Sequence, residues 1–423
     1  MPHKPASKKI DAAIEALNSV RREWLRRPGT TAVDVGFKIK DKKLTDDLAV
    51  RVHVERKIPP EALQAYELFN ETGKETETVG DFPIDVLEAT YGPAQPIVLD
   101  PEDVATIEAV NRKGEVSPLI GGVSCGNPRV TAGTLGAIVY DRGDCSAQIL
   151  SNWHILAGSN AAAAGEEIWQ PGRVDGGSSA KTVATLNRFR LDRDMDAAIA
   201  KLNGTRPHVR DILGLNPIAG MDDPTLGMNV TKSGRTTAVT EGIIDGVSLS
   251  TAINYGGSTG VNSFSDQIHI VPRPPWPAVD YEVSMGGDSG SVWINEANNK
   301  AVGLHFAGET DSSPSQENAI ANPIKKVSSE LNFSFLPVLC VQPPVVAISR
   351  DRLRLILCRA FPWLCVKVPN PWTSWFGWFR PDLGVSEEQA QSESFGRFER
   401  QPTSGDGDVV EAVIDAIYEE MGW

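Results

Sequence analysis

Apolar residues recur along the chain with two periods, and each predicts a different kind of element. Over residues 8 to about 27, Ile10, Ile14, Leu17, Val20 and Trp24 fall on one stripe and "PGT" follows, which predicts an amphipathic helix. The runs "AVDVGFKIK" and "LAVRVHVERK" then alternate apolar and polar residues, the pattern of strands in a sheet with one wet face. A helical "PPEALQAYELF" and a third strand, "FPIDVLEA", complete a small α+β domain over residues 1–92. His53 lies within the second strand, where a structural or solvent-facing position is expected.

Residues 93–117, between "YGPAQP" and "NRKGEVSP", become acidic and proline-flanked, as a linker does. From Leu119 to about Leu331 short apolar runs such as "GTLGAIVYD", "AQILSNWHIL", "DAAIAKL", "GIIDGVSL", "DQIHIV", "GSVWI" and "KAVGLHFAG" are separated by glycine, asparagine and aspartate. Strands spaced by turn signals in this way predict an all-β barrel or sandwich over 118–335. Residues 336–423 form a partly helical extension. "AISRDRLRLILCRAF" has a helical apolar period, "PWLCVKVPNPWTSWFGWF" gathers four tryptophans expected to pack on the β domain, and Val410, Val413, Ile414, Ile417 and Met421 share one helical face. That last face needs a partner, in this chain or in another protein. No internal repeat is present.

Composition narrows the partners. A net charge of −14 over 423 residues repels nucleic acid and anionic membranes, and leaves a protein or peptide as the fitting partner. No stretch approaches the roughly 20 apolar residues of a membrane span, and the charged first residues lack the apolar core of a signal peptide. Five scattered cysteines, Cys125, Cys145, Cys340, Cys358 and Cys365, are expected as mostly reduced thiols, which with the charged N-terminus predicts a cytoplasmic protein. The six histidines lack carboxylate or cysteine partners at metal-ligand spacing, and "GGVSCG" lacks the lysine of a phosphate loop, so no metal and no cofactor are expected.

Serine nucleophiles need a base, a group that orients the base, and donors for the developing oxyanion. The β region offers a candidate for each. His154 in "LSNWHIL" ends an apolar strand entering a turn. Asp196 in "RDMDAAIAKL" precedes small and apolar residues that would bury it, whereas Asp192 and Asp194 stand in the charged half of the segment. Ser289 in "SMGGDSGSVW" lies between Gly287 and Gly290, where a turn can aim the N–H groups of Gly287 and Ser289 at one point. The nucleophile elbow of an α/β-hydrolase would need glycine where Ser291 stands, with its acid and base after the serine, and only His305 follows.

The order "SNWHIL", "DAAIAKL", "GGDSGS", followed by "VGLHFAG" and "IANPIKKV", resembles the trypsin-like (chymotrypsin-fold) serine peptidases. The first ninety residues, with "LTDDLAVRVHVERKIP" and "FPIDVLEA", resemble the N-terminal α+β domain that precedes such a peptidase in some bacterial intracellular proteins. The resemblance implies a mainly β fold of two barrels, with His154 and Asp196 from the first, Ser289 from the second, and an acyl-enzyme mechanism. It also implies a primary pocket walled by "EVSMGG" and "LHFAG", and so by Val283, His305, Phe306 and Ala307. Val283 stands where arginine- and lysine-cleaving members carry aspartate, and His305 resembles the histidine of glutamate- and glutamine-preferring members. Cleavage after Glu, Gln or a small residue is therefore expected. Leu119 in "SPLIGGVSC" superficially matches an activation terminus, but Pro118 precedes it, and Asp288 is expected to bond within the barrel instead. The competing expectation is a peptide- or partner-binding module with little turnover.

Overall fold

The computed structural model describes residues 4–40, 43–58, 78–93, 111–274, 281–309 and 317–338. The helix expected at "PPEALQAYELF", most of the linker, and the Trp-rich and helical segments beyond 338 lie outside the described residues.

The first apolar stripe forms helix α1 (Ser7–Trp24), which buries Ala13, Leu17, Val20 and Trp24. They pack on Val33, Val35 and Phe37 of β1 (Thr30–Lys40) and on Leu48, Val50 and Val52 of β2 (Lys43–Val54). Full burial of each such side chain is worth roughly 1.5–3 kcal/mol, enough to hold a helix that has no side-chain cap at its N-terminus. Strand β3 (Thr78–Val79) pairs with β4 (Phe82–Glu88), and β4 lies parallel to β2. The second face of this sheet is not wet, as alternation had suggested. Asp34, Arg51 and His53 point away from α1 and are fully buried, because they pair with one another and with other segments.

The next strands are short and alternate between two apolar faces. They are β5 (Tyr91–Pro93), β6 (Leu119–Gly121), β7 (Val123–Cys125), β8 (Gly133–Leu135), β9 (Ala137–Asp141), β10 (Ala147–Ser151), β11 (Glu167–Trp169), β12 (Thr182–Leu191), β13 (Asp196–Leu202) and β14 (His208–Ile212). A one-turn helix, α2 (Trp153–Leu156), follows β10. Strands β11, β12, β13, β10 and β9 form a continuous antiparallel path, joined at its end by β21 (Phe333–Ser334). One face, with Ile138, Ile149, Ala198 and Ala200, encloses a core with Val123, Leu135, Trp153 and Ile168. Its opposite face, with Val139, Leu150, Ala197 and Ile199, packs on Val292, Ile294, Ala301 and Leu304 of the second half. Strands buried on both faces must be apolar at nearly every position, which is why "DAAIAKL" reads as it does.

The second half comprises β15 (Asn229–Gly234), β16 (Ala238–Asn254), β17 (Val261–Pro272), β18 (Val292–Asn295), β19 (Lys300–Glu309), β20 (Ala319–Pro323) and helix α3 (Ile324–Glu330). Strand β15 pairs with β18, β18 with β19, β19 with β20, β20 with β17, β17 with β16, and β16 again with β15. The pairing closes on itself around Val230, Ile244, Ile268, Ile270, Trp293 and Val302. The mainly β, chymotrypsin-like fold class expected for this region is the one observed. Strand β16 is long enough to leave this ring and pair with β1 across Gly246–Thr251, so the N-terminal sheet continues the sheet of the second half. All these elements belong to one compact unit, Met1–Cys340.

Candidate active site

Each candidate side chain is placed by a local device. Asn152 ends β10 and donates from Nδ2 to the carbonyl of Asp196 (2.8 Å), which sets the first turn of α2 beside the start of β13. His154 on α2 then lies against Asp196, its Nδ1 2.5 Å from Oδ2, while its backbone N–H donates to Oδ1 at 3.2 Å. A carboxylate only accepts, so Nδ1 carries the proton and Nε2 is left as the bare, basic nitrogen. Among the described residues the buried Nε2 has no hydrogen-bond partner, and its bond to Ser289 is not formed in this structure. Asp192 and Asp194 face elsewhere, Asp192 accepting the N–H of Asp194 and Asp194 pairing with Lys326.

Two further residues hold the acid. Tyr255, at the tip of the β16–β17 hairpin, donates its hydroxyl to Asp196 Oδ2 at 2.6 Å, and its ring stands 5.7 Å from that of His154. Burial, and after it the Asp196 charge, push the Tyr255 phenol well above its ordinary range, so it stays a donor. Asn322 on β20 accepts the Asp196 N–H (3.1 Å) and donates to the carbonyls of Asp196 and Leu304, which ties the first half to β19 of the second. Sequence reasoning found neither. "INYGGSTG" reads only as a turn, and Tyr255 is 59 residues from the acid it serves.

Ser289 is fully buried in a turn whose glycines are dictated by space. Gly287 and Gly290 have φ of +100° and +95°, a region that side chains with a Cβ avoid. A Cβ on Gly290 would stand 2.1 Å from Ser151 Oγ and 2.4 Å from the Thr134 carbonyl. Thr134 on β8 pins the turn to the first half. Its N–H donates to the Ser289 carbonyl and its hydroxyl to the Gly287 carbonyl, both at 2.8 Å. Since Ser151 precedes His154 by three residues and bonds to the same Thr134 carbonyl, the nucleophile turn and the His154 segment share one anchor.

The charge beneath the turn is Asp288, which is fully buried with Lys232. Lys232 Nζ is 3.0 Å from Oδ2, and the carboxylate also accepts the N–H groups of Thr236, Thr237 and Met285 and the Thr237 hydroxyl. Burial alone would raise the Asp288 pKa. The Lys232 charge and the Thr237 and Met285 bonds outweigh it and bring it down to about 2. Asp288 thus bonds within the chain, and Leu119 is not a free terminus but donates its N–H to Pro207.

All four residues named for the pocket are fully buried. Val283 lies in the core of the second half with Trp293, the Phe306 ring is tilted against that of Phe264 with centres 4.8 Å apart, and Ala307 packs in the same small cluster. His305 stands edge-on to Trp293, and burial, followed by the Lys232 charge, lowers its pKa to about 3, so the imidazole is neutral at pH 7. Near Val283, oxygens of Glu282, Glu309 and Glu317 lie within 4.8 Å of one another. Burial raises the Glu317 carboxyl to about 7. Among the cysteines, Cys125 is a buried free thiol, as expected, whereas Cys145 is in a disulfide and departs from the expectation of reduced thiols.

No protein-family model and no curated protein sequence matches the chain. Among solved structures it is similar to bacterial serine proteases of the chymotrypsin fold. Thermobifida fusca Protease A is 16% identical over 51% of this chain and 96% of its own, with a TM-score of 0.36. A glutamic acid specific serine protease described as using a histidine triad in substrate binding is 20% identical over 51% and 99%, with a TM-score of 0.38. A Cellulomonas bogoriensis chymotrypsin is 15% identical over 52% of this chain and 98% of its own, with a TM-score of 0.36. The fold assignment rests on the strand pairings and not on these scores.

Proposed function

We propose that the chain is a serine endopeptidase. Ser289 Oγ attacks a peptide carbonyl, His154 Nε2 takes the hydroxyl proton and passes it to the leaving amine, and water then hydrolyses the acyl-enzyme by the same route. Asp196 holds the Nδ1–H tautomer and offsets the imidazolium charge. The N–H groups of Gly287 and Ser289 receive the oxyanion, a role in which each donor is worth about 10²–10³ in rate. The observation that carries this reading is the buried His154–Asp196 pair, bonded through Nδ1 at 2.5 Å with Nε2 left bare. The test is treatment of the full chain with a small fluorophosphonate and mapping of the adduct by mass spectrometry. An adduct at Ser289 supports the reading, and an untouched Ser289 in folded protein removes it.

A binding module with little turnover is favoured by one observation, the full burial of Ser289 in this structure. The same labelling decides between the two readings.

For substrate preference, a neutral His305 and the carboxylates beside Val283 disfavour an acidic side chain. Of Glu, Gln and small residues we therefore propose the uncharged ones, to be checked with a peptide library in which cleavage after Glu would overturn the choice. The proposed partner is a protein or peptide substrate. Cytoplasmic location is likewise a proposal, checked by alkylating thiols in intact cells. The Cys145 disulfide speaks against it, since disulfides persist in oxidising compartments, and a Cys145 that reacts with the alkylating agent would restore it.

A further inference from the structure

One of the two N–H groups that would receive the oxyanion belongs to a peptide bond between two glycines, Gly286 and Gly287. Such a bond can turn over at little cost, because neither residue has a Cβ to resist the change in φ and ψ. Turned over, it would present the Gly286 carbonyl where the Gly287 N–H belongs, and an acceptor there repels an oxyanion. The orientation of this peptide therefore needs a holder.

The Gly286–Gly287 peptide is trans, so its C=O and N–H point in opposite directions. The Thr236 hydroxyl donates to the Gly286 carbonyl at 2.8 Å. With the carbonyl fixed on that side, the Gly287 N–H is turned to the other, and among the described residues it donates to no acceptor in the chain. Arg235 decides where the Thr236 proton goes. Its Nη1 donates to Thr236 Oγ1 at 3.1 Å, which occupies a lone pair of that oxygen and leaves the hydroxyl proton for Gly286. The guanidinium is held in turn by Asp175, with Nε 2.5 Å from Oδ2 and Nη2 2.6 Å from Oδ1, a bidentate pair whose side chains are each only 7% exposed. Asp175 ends the short turn Arg173–Asp175 and also accepts the Ser124 hydroxyl at 2.5 Å. The guanidinium packs directly on the peptide it serves. A Cβ on Gly287 would stand 2.7 Å from Arg235 Nη1 and 2.5 Å from Thr236 Oγ1.

Resting on the peptidase reading of Ser289, we infer that Asp175, Arg235 and Thr236 are positioning residues for the oxyanion site. They form a relay from the first half to the Gly286 carbonyl, and that relay keeps the Gly287 N–H aimed at the developing charge. They act through the peptide and not on the substrate. The hairpin segment that carries Arg235 and Thr236 also anchors the turn a second time. The Arg235 N–H donates to Thr134 Oγ1 at 2.9 Å, and that hydroxyl donates to the Gly287 carbonyl. The donor is thus aimed only once the two halves have packed.

The test uses the full chain and the small fluorophosphonate, whose phosphoryl oxygen needs the same donors as a peptide carbonyl. Thr236→Val keeps the side-chain shape and removes the hydroxyl. Its limiting rate of labelling at Ser289 is expected to fall about tenfold or more, short of the roughly 10²–10³ lost when an oxyanion donor is removed outright. The reagent concentration that gives half this rate should stay within about twofold of wild type, so that the loss lies in the chemical step. The midpoint of the pH–rate profile should not move, because His154 and Asp196 are untouched. Thr236→Ser, which restores the hydroxyl, should recover most of the rate. Arg235→Lys is the second variant, since an ammonium cannot make both bonds to Asp175 and still reach Thr236, and it should lose about tenfold with the same unmoved midpoint. Wild-type rates in both Thr236→Val and Arg235→Lys would overturn the inference, as would a fall in Thr236→Val that Thr236→Ser shares in full. A wild-type chain that the reagent does not label at Ser289 would instead remove the peptidase reading, and this inference with it.

Discussion

Two groups of charges are buried in this chain, and they are built differently. Lys232 and Asp288 form a single pair beneath one turn, and the remaining Asp288 bonds go to the Met285 N–H in that turn and to the Thr236 and Thr237 N–H groups and the Thr237 hydroxyl in the β15–β16 hairpin. Arg51 instead joins Asp34 on β1 to Asp245 on β16, with His53, His269 and Tyr91 around them, so that four strands of the sheet and β5 meet at one guanidinium. The first arrangement pins one turn to one hairpin. The second fixes how distant segments lie against each other. Breaking the first should damage chemistry beyond its effect on stability, and breaking the second should damage stability and the placement of β5 while leaving the nucleophile turn intact.

Arg51→Met is the harshest test of this contrast. It takes the guanidinium from between two fully buried carboxylates, which keep their bonds to His53 and His269 but lose its charge, and removal of one partner of a buried pair costs about 3–5 kcal/mol. Urea unfolding should show a loss at the upper end of that range, and any folded fraction should still accept the small fluorophosphonate. Lys232→Met should cost about 3 kcal/mol by the same measurement and, unlike Arg51→Met, should abolish labelling in the folded fraction. Equal labelling in the two variants would erase the distinction.

Tyr255→Phe removes one donor to Asp196 and no packing volume. A hydrogen bond to a charged group is worth about 1.5–3 kcal/mol, so urea unfolding should show a loss of that order. A carboxylate relieved of that donor attracts an imidazolium more strongly, and the midpoint of the pH–rate profile should move upward. An unmoved profile would make Tyr255 a packing residue only.

The smallest expected effect concerns His305. In the folded chain its pKa is about 3, while in the unfolded chain it has an ordinary value near 6.5. The depressed value means that its contribution is complete above the unfolded pKa. It is lost as pH falls below 6.5, because only the unfolded state takes up the proton. Linkage gives a loss on the order of 2 kcal/mol between pH 7 and pH 5. Urea midpoints at the two pH values should show that part of the difference disappear in His305→Gln.

Much of this was readable in the sequence because it is local. Glycine clusters mark the turns between β-runs, "DAAIAKL" is apolar because both faces of its strand are covered, and the segments of His154, Asp196 and Ser289 each carry their own pattern. What escaped reading is distributed. Alternation at Asp34, Arg51 and His53 looks the same whether the polar face meets water or a buried guanidinium, and the difference lies in Asp245 and His269 some two hundred residues on. Lys232 in "NVTKSG" looks like an ordinary strand lysine until Asp288 is placed beside it. Tyr255 and Asn322 act on Asp196 only after the two halves have packed. Neither the pairing of β5 with β19 nor the disulfide at Cys145 has a signal in the residues beside it.

The central claim is that His154 acts as the base for Ser289. Its most direct measure is the rate of fluorophosphonate labelling at Ser289 as a function of pH, in wild type and in His154→Ala. The account predicts a rate that rises as an imidazole loses its proton, and a fall of at least about 10³-fold with loss of that pH dependence in His154→Ala. Equal rates in the two proteins, or labelling at a residue other than Ser289, would contradict it.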